Sequence, residues 1–220
     1  MQPRLFLLAC FAFICLLTNS TTQVFAQKDP KAKAILDAMS KKYKSLPHFK
    51  ATVSVEQLNT LDNTKSTFKG EAKVKGQKYH LKTDEQEIFN DGESVWTYLK
   101  AENEVTVTSF EPDPNEMNIN NFHTMYEKDF KYTWLEQTKE GGKTYDIIDL
   151  VPENIKSSYF KIRLTIETTT KELKNWKIFE KNGRQYTYSV THFDTDTKIT
   201  DTDFVFDEKK YPKVEIVDLR

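Results

Sequence analysis

The chain has 220 residues and a formal net charge of −1, and it contains no basic block of the kind that nucleic-acid-binding proteins use. Both cysteines, Cys10 and Cys15, lie near the amino terminus, which excludes disulfides, thiolate nucleophiles and cysteine-ligated zinc from the rest of the chain. Aromatic residues make up 13% of the sequence while Gly and Pro are few, a composition typical of a strand-rich fold with an aromatic interior.

The first 26 residues have the pattern of a cleaved secretion signal. Arg4 precedes an apolar run over residues 5–17, and Val24-Phe25-Ala26 supplies the small residues that signal peptidase accepts. The run is shorter than the roughly 20 residues that a membrane-spanning helix needs. We therefore expect cleavage after Ala26 and one domain over residues 27–220.

Lipid attachment is the alternative for this leader. Leu7-Leu8-Ala9-Cys10 is similar to a lipobox, but the apolar run continues past Cys10, and the residues before Cys15 match poorly. The pattern favours an exported protein that is free to diffuse over a lipid-anchored one.

The first predicted element of the mature chain is an amphipathic helix over residues 30–43. Asp29 followed by Pro30 is a typical helix start. Apolar side chains then recur at helical spacing, at Ile35, Leu36, Met39 and Tyr43. Such an apolar stripe requires another element to cover.

From residue 49 the apolar period becomes two, which indicates half-buried strands. A second interruption follows at residues 115–128, where Phe122 and Met125 lie on roughly helical spacing and predict one or two short helices. The predicted strands cover residues 49–56, 68–74, 79–83, 105–107, 132–137, 144–150, 159–167, 173–180 and 185–193, with two more around Asn90-Asp91-Gly92. The apolar segments 204–206 and 214–217 end the chain.

The tripeptide Asn90-Asp91-Gly92 supplies the positive φ angles of a tight hairpin. One strand enters the turn at Phe89, and the next leaves it carrying Val95, Trp96 and Tyr98. The pattern as a whole predicts a mainly β (α+β) fold of about ten or eleven antiparallel strands in one curved sheet, with helices over its opening. Large aromatics on such a sheet indicate an apolar binding surface.

The order of these elements resembles the periplasmic outer-membrane lipoprotein carrier family of the LolA type. The resemblance covers the helix before Phe49-Lys50-Ala51-Thr52-Val53, the Gly76 turn, Asn90-Asp91-Gly92 with its aromatic strand, and the carboxyl end at 204–206 and 214–218. It implies an unclosed half-barrel in the periplasm that takes lipoprotein acyl chains from an inner-membrane transporter and acts as a monomer without enzymatic activity or cofactor. Whether an outer-membrane acceptor receives them stays open.

The predicted strand faces, together with this resemblance, indicate which residues form an apolar cavity and a helical lid. The expected residues are Ile35, Leu36, Met39, Phe49, Val53, Tyr79, Phe89, Trp96, Tyr98, Phe122, Met125 and Trp176. The alternative for Trp96 and Trp176 is ordinary core packing, because aromatics dominate the core of any β protein.

One departure from the family concerns the latch of the lid. Carriers of this type often have an arginine after the conserved glycine, where this chain reads Gly76-Gln77-Lys78-Tyr79-His80. Either His80 or a nearby lysine replaces it, or packing alone holds the lid.

Other functions have weaker support in the sequence. Asp194, Asp196, Asp201 and Asp203 suggest calcium, but the glycine and terminal glutamate of a calcium loop are missing. No carboxylate pair or serine triad is singled out for hydrolysis. An envelope-stress sensor, or another lipid- or peptide-binding regulatory module on the same half-barrel, remains the main alternative to a carrier.

Overall fold

The computed structural model describes residues 28–112 and 119–220 of the chain. The predicted secretion signal and the first part of the predicted helical segment, residues 115–118, lie outside the described residues.

The predicted helix is present as α1, Pro30–Ser45. The side chain of Asp29 accepts hydrogen bonds from the backbone N–H groups of Lys31 at 2.8 Å and Ala32 at 3.4 Å, which satisfies free donors of the first turn. The helix ends before Pro47, because a residue that precedes proline is displaced from helical geometry.

Twelve strands form one sheet, one or two more than the sequence predicts. In chain order they are β1 Phe49–Asn59, β2 Thr64–Lys75, β3 Lys78–Thr83, β4 Gln86–Asn90, β5 Ser94–Leu99, β6 Glu104–Ser109, β7 Phe130–Glu140, β8 Lys143–Pro152, β9 Tyr159–Glu167, β10 Leu173–Glu180, β11 Arg184–Asp194 and β12 Glu215–Asp218. Their order across the sheet is β12-β6-β5-β4-β3-β2-β1-β11-β10-β9-β8-β7. The two ends of that order, β12 and β7, do not pair with each other, so the predicted curved, unclosed sheet is confirmed.

The hairpin at Asn90-Asp91-Gly92 is also confirmed. Gly92 has a φ of 96°, and the Asp91 carboxylate accepts the N–H groups of Glu93 and Ser94, each at 2.9 Å. This side-chain acceptor fixes the turn and sets Phe89 opposite Trp96 in the β4–β5 ladder.

Two details near the carboxyl end differ from the prediction. Strand β12 pairs with β6 in parallel, not antiparallel, because the chain crosses the sheet before adding its last strand. Residues 204–206, which the resemblance placed at the carboxyl end with 214–218, form no strand. Phe204 ends a 3-10 turn, Asp201–Phe204, whose capping box joins Thr200 and Asp203.

The sheet has two covered faces. The helix face lies under α1, and its core includes Phe49, Ile148, Leu150 and Ile162. The outer face is the opposite one, where residues 201–211 pack over β3–β6 and bury Phe204 completely. Only the helix face contains the predicted covering elements, α1 and the segment before β7.

Candidate functional site: an apolar cavity beneath the helix

The roof of the site is the buried stripe of α1. Ala32, Leu36 and Met39 have no exposed surface, and Tyr43 continues the stripe one turn later. Asp29 fixes the start of this roof to the sheet, because its second carboxylate oxygen accepts the N–H of Trp134 on β7 at 2.9 Å. Although desolvation opposes ionisation, the backbone donors of Trp134 and Lys31 lower the pKa of Asp29.

A cavity of about 290 Å³ lies between this roof and the middle of the sheet. Its floor comes from alternate residues of β1, which point to the helix face at a period of two. The apolar lining residues are Tyr43, Phe49, Ala51, Val53, Val55, Phe68, Ala72, Leu81, Ile119, Phe122, Leu173, Trp176, Tyr188, Val190 and Phe193. Such a lining favours an apolar ligand with few directional bonds.

Aromatic rings form one wall of the cavity. Trp176 and Tyr188 stack with their centroids 4.7 Å apart, and Phe122 lies 6.4 Å from Trp176 in a near-parallel orientation. Phe122 also contacts Tyr43 edge to face at 4.9 Å, which joins the wall to α1. The Tyr43 hydroxyl accepts the N–H of Leu173, and burial raises its pKa to about 12, so it stays neutral at physiological pH.

The segment at residues 119–128 closes the cavity from the side. It contains the 3-10 turn Met125–Glu127, in place of the one or two short helices that the sequence predicts. The Tyr126 hydroxyl donates to Asp37 of α1 at 2.8 Å, and Lys44 of α1 forms an ion pair with Glu127 at 3.0 Å. A few polar contacts at its margin and the Phe122 ring at its centre therefore attach this segment to α1.

The predicted site residues fall into three groups. Phe49, Val53, Phe122 and Trp176 line the cavity. The core cluster beneath α1 contains Leu36, Met39 and Met125, with Ile35 and Tyr79 packed against it. Phe89, Trp96 and Tyr98 lie on the outer face, since Phe89 is opposite His80 and Trp96 in the ladders, one residue out of phase with Tyr79.

Outer-face packing explains the position of the third group. The Phe206 ring lies 5.8 Å from Phe89 and 6.0 Å from Tyr98, and Tyr211 lies 4.5 Å from Tyr98. These aromatics thus bury the carboxyl-terminal segment instead of facing the cavity. The period-two pattern predicted that these side chains are buried. It could not show on which of the two covered faces of the sheet they lie.

His80 is not placed to latch the lid. Its ring stacks on Phe89 at 4.1 Å, and its Nε2 lies 3.2 Å from a carboxylate oxygen of Glu87 on the outer face. Desolvation raises the pKa of Glu87, but bonds from Lys82, His80 and Tyr211 outweigh it and the net shift is downward. The nearby lysines Lys75 and Lys78 form ion pairs with Asp201. Of the latches considered for the missing arginine, packing therefore remains, and the contacts from α1 to residues 119–128 add to it.

The aspartates that suggested calcium have other partners. Asp194 accepts backbone N–H groups in its own turn, and Asp201 forms ion pairs with Lys75 and Lys78. Desolvation opposes ionisation of Asp203, yet Lys73 and Thr200 lower its pKa to about 2. Asp201 and Asp203 thus attach the carboxyl-terminal segment to β2 and β3. Within residues 28–112 and 119–220, no three acidic, histidine or cysteine side chains are grouped as metal ligands.

Several cavity residues were not predicted. Tyr188, Val190 and Phe193 of β11 line it, as do Phe68 and Leu81 of β2 and β3. Alternation along β1 at Ala51, Val53 and Val55 marks the same face, but the pairing of β1 with β11 is not visible in the sequence. The two strands are far apart along the chain, so only the three-dimensional structure shows that they pair.

The fold and the cavity define a class: an open half-barrel with an apolar cavity beneath a helical cover. The chain belongs to the outer membrane lipoprotein carrier protein LolA family, whose sequence model matches residues 48–207. Proteins of this family are periplasmic carriers that bind lipoproteins. No curated protein matches the sequence.

Similar solved structures have low sequence identity to this chain, and one with a TM-score above 0.5 has the same fold. An uncharacterised conserved protein from Thermus thermophilus is 13% identical and has a TM-score of 0.57, over 86% of this chain and 99% of that one. A LolA superfamily protein from Nitrosomonas europaea is 12% identical with a TM-score of 0.42, over 80% and 97%. The MucA/MucB complex of Pseudomonas aeruginosa gives 9% identity and a TM-score of 0.42, over 81% of this chain and 62% of that one.

Among the described residues, no helix has the length and apolar character needed to cross a membrane.

Proposed function

We propose that this protein is a periplasmic carrier that binds the acyl chains of lipoproteins and shuttles them from the inner to the outer membrane. In this role it receives cargo from an inner-membrane lipoprotein-releasing transporter and works as a monomer without catalysis. The observation that supports the proposal most directly is the apolar cavity beneath α1, in a chain of the lipoprotein carrier family.

The chemistry of the lining fits an acyl chain. Each methylene group that leaves water gains about 0.8 kcal/mol, so an exposed lipid anchor is strongly insoluble. The rings of Trp176 and Tyr188 and the aliphatic floor of β1 offer that burial without hydrogen bonds. A carrier for many different lipoproteins requires this lack of directional selectivity.

The size of the cavity supports a movable lid. Its volume of about 290 Å³ is at the small end for a ligand pocket, so the loaded protein needs more room than this closed form offers. We infer that α1 and residues 119–128 move apart from the sheet on loading. Phe122 is the central contact of that lid, because it packs on both Tyr43 and Trp176.

Export is part of the proposal. Residues 1–26 act as a secretion signal that is removed after Ala26, leaving an unacylated protein from residue 27. Intact mass spectrometry of protein from the periplasm tests this, and a mass that includes an acylated Cys10 or Cys15 would contradict free diffusion.

The decisive experiment is release of a lipoprotein from spheroplasts. Purified mature protein added to spheroplasts that synthesise a triacylated lipoprotein is expected to bring that lipoprotein into solution as a stoichiometric complex. A variant with Phe122→Glu, which puts a charge at the lid contact, should release less. The matched control is Phe160→Glu, at an aromatic that is 49% exposed and outside the cavity lining.

The same assay separates the carrier from the regulatory alternative. An envelope-stress sensor would bind one membrane regulator stoichiometrically and leave lipoproteins in the spheroplast membrane. Such a result, together with unchanged behaviour of the Phe122 variant, would refute the carrier proposal.

A further inference from the structure

One strand beside the cavity is longer than its neighbour. Strand β2 pairs with β1 along almost all of its length, from Thr64 to Val74. On its other side, β3 pairs with β2 only from Gly70 to Lys75. In the part of the chain that the structure describes, residues 64–69 therefore have no strand partner on that second side.

This free edge is accessible. All six residues from Thr64 to Lys69 are exposed. Alternate N–H and C=O groups of a strand point to each side, so the edge presents a row of unpaired backbone groups to an added strand. Six residues extend about 20 Å, enough for a peptide of similar length.

The free edge begins where the cavity opens. Gly70, the last β2 residue with a partner in β3, pairs with Thr83, and both line the cavity. Phe68, on the free part of β2, also lines it and is 41% exposed. The sheet therefore has a step at Gly70 and Thr83, with the apolar cavity at the inner corner of the step.

We propose that residues 64–69 bind the peptide of the cargo lipoprotein by strand addition while its acyl chains occupy the cavity. This inference rests on the proposed carrier function. A lipoprotein bears its acyl chains on an amino-terminal cysteine. If that cysteine lies at the step beside Gly70, the peptide that follows it can extend along the free part of β2. The added strand then runs from the Gly70 end to the Thr64 end, antiparallel to β2.

Backbone pairing suits a carrier of many cargoes. Main-chain hydrogen bonds supply affinity in strand addition without selecting the peptide sequence. A second copy of this chain is a poorer occupant, because edge-to-edge pairing brings Lys65 and Lys69 of two molecules together, and like charges oppose it. The polar peptide thus has a site of its own next to the apolar one.

Synthetic lipopeptides test the proposal without altering the protein. The probes are dipalmitoylated cysteine, the same cysteine followed by five residues, and two versions of this hexapeptide N-methylated at alternate positions. We expect the peptide to tighten binding by about tenfold, since each net backbone hydrogen bond contributes only modestly. One N-methylated set should lose that gain and the other keep it, because only alternate N–H groups face the edge.

Crosslinking then locates the peptide. The chain has no cysteine after residue 15, so single substitutions Ser66→Cys and Thr138→Cys introduce unique thiols. Thr138 lies on β7, the opposite edge of the sheet, and is the matched control. A lipopeptide with a thiol at its fifth residue should form a disulfide with the Ser66→Cys variant far more readily than with the Thr138→Cys variant.

The outcomes are distinct. Equal affinity for all four probes with no selective crosslink overturns strand addition and leaves the carrier function standing. Failure of dipalmitoylated cysteine itself to bind refutes the carrier function and this inference together. A dimer linked through Ser66→Cys in the absence of lipopeptide assigns the edge to a second copy and also overturns the proposal.

Discussion

Filling the cavity with a side chain on β2 should weaken acyl binding strongly while leaving the fold intact. Gly70 lines the cavity and lies opposite Val53 in the β1–β2 ladder. A Cβ added there would meet the Lys82 carbonyl oxygen at 3.5 Å and Thr83 Cγ2 at 3.6 Å, which are ordinary contacts. The backbone is not in the left-handed region, so Gly70→Leu introduces no backbone strain.

The expected loss follows from the volume that leucine occupies. Its side chain would displace roughly three methylene groups of a bound acyl chain, and each contributes about 0.8 kcal/mol. Binding should therefore weaken by roughly 2–3 kcal/mol, or about fiftyfold. Stability should stay equal or rise, because glycine inside a strand is unfavourable.

Titration with a fluorescent fatty acid measures the affinity, and thermal unfolding measures the stability. Lys69→Leu is the matched control, because the neighbouring residue adds the same side chain on the other face of β2. Unchanged affinity in the Gly70→Leu protein, with normal unfolding, would show that ligand binds elsewhere and refute the cavity as the site.

Three further predictions concern the lid, the carboxyl-terminal segment and the ligand. Tyr126→Phe removes the hydrogen bond to Asp37, so stability should fall by about 1 kcal/mol and amide exchange in residues 119–128 should accelerate. Since Lys73 helps to hold the pKa of Asp203 at about 2, below its unfolded value, its stabilisation is present above about pH 4 and lost between pH 4 and 2. Asp203→Asn should flatten acid unfolding in that window, and an unchanged acid profile would show the ion pair to be inert. A brominated fatty acid should quench tryptophan fluorescence in the parent but much less in Trp176→Phe, and equal quenching would place the ligand away from Trp176.

The helix and the strand order along the chain could be read from the sequence because both rest on local patterns. The spacing of Leu36, Met39 and Tyr43 identifies the buried stripe of α1, and all three are buried. Asn90-Asp91-Gly92 predicts its hairpin because the side chain of Asp91 and the backbone of Gly92 determine the turn locally.

The cavity lining depended on long-range information. Phe49 and Val53 were predicted to line it and do. Their neighbours on β11 lie far along the chain, because Phe49 contacts the Phe193 ring and Val53 pairs with Val190. Phe89 and Tyr98 show the converse limit, since alternation identifies one buried face per strand and says nothing about what covers it. Here residues 201–211 cover the outer face. A 3-10 turn and ion pairs hold them in place, and neither produces a periodic apolar pattern in the sequence.

Packing of the lid explains how one cavity can both hold and release a lipid. The cover is attached to the sheet mainly through apolar contacts, such as Phe122 on Trp176, whose energy scales with buried area at about 25 cal/mol per Å². An entering acyl chain offers contacts of the same kind to the same rings, so it can replace those of the lid at little net free energy. An acyl chain could not replace a latch made of buried ion pairs in this way, because opening that latch would leave buried charges without partners. The absence of the family arginine is therefore compatible with a carrier whose loading and release are nearly balanced.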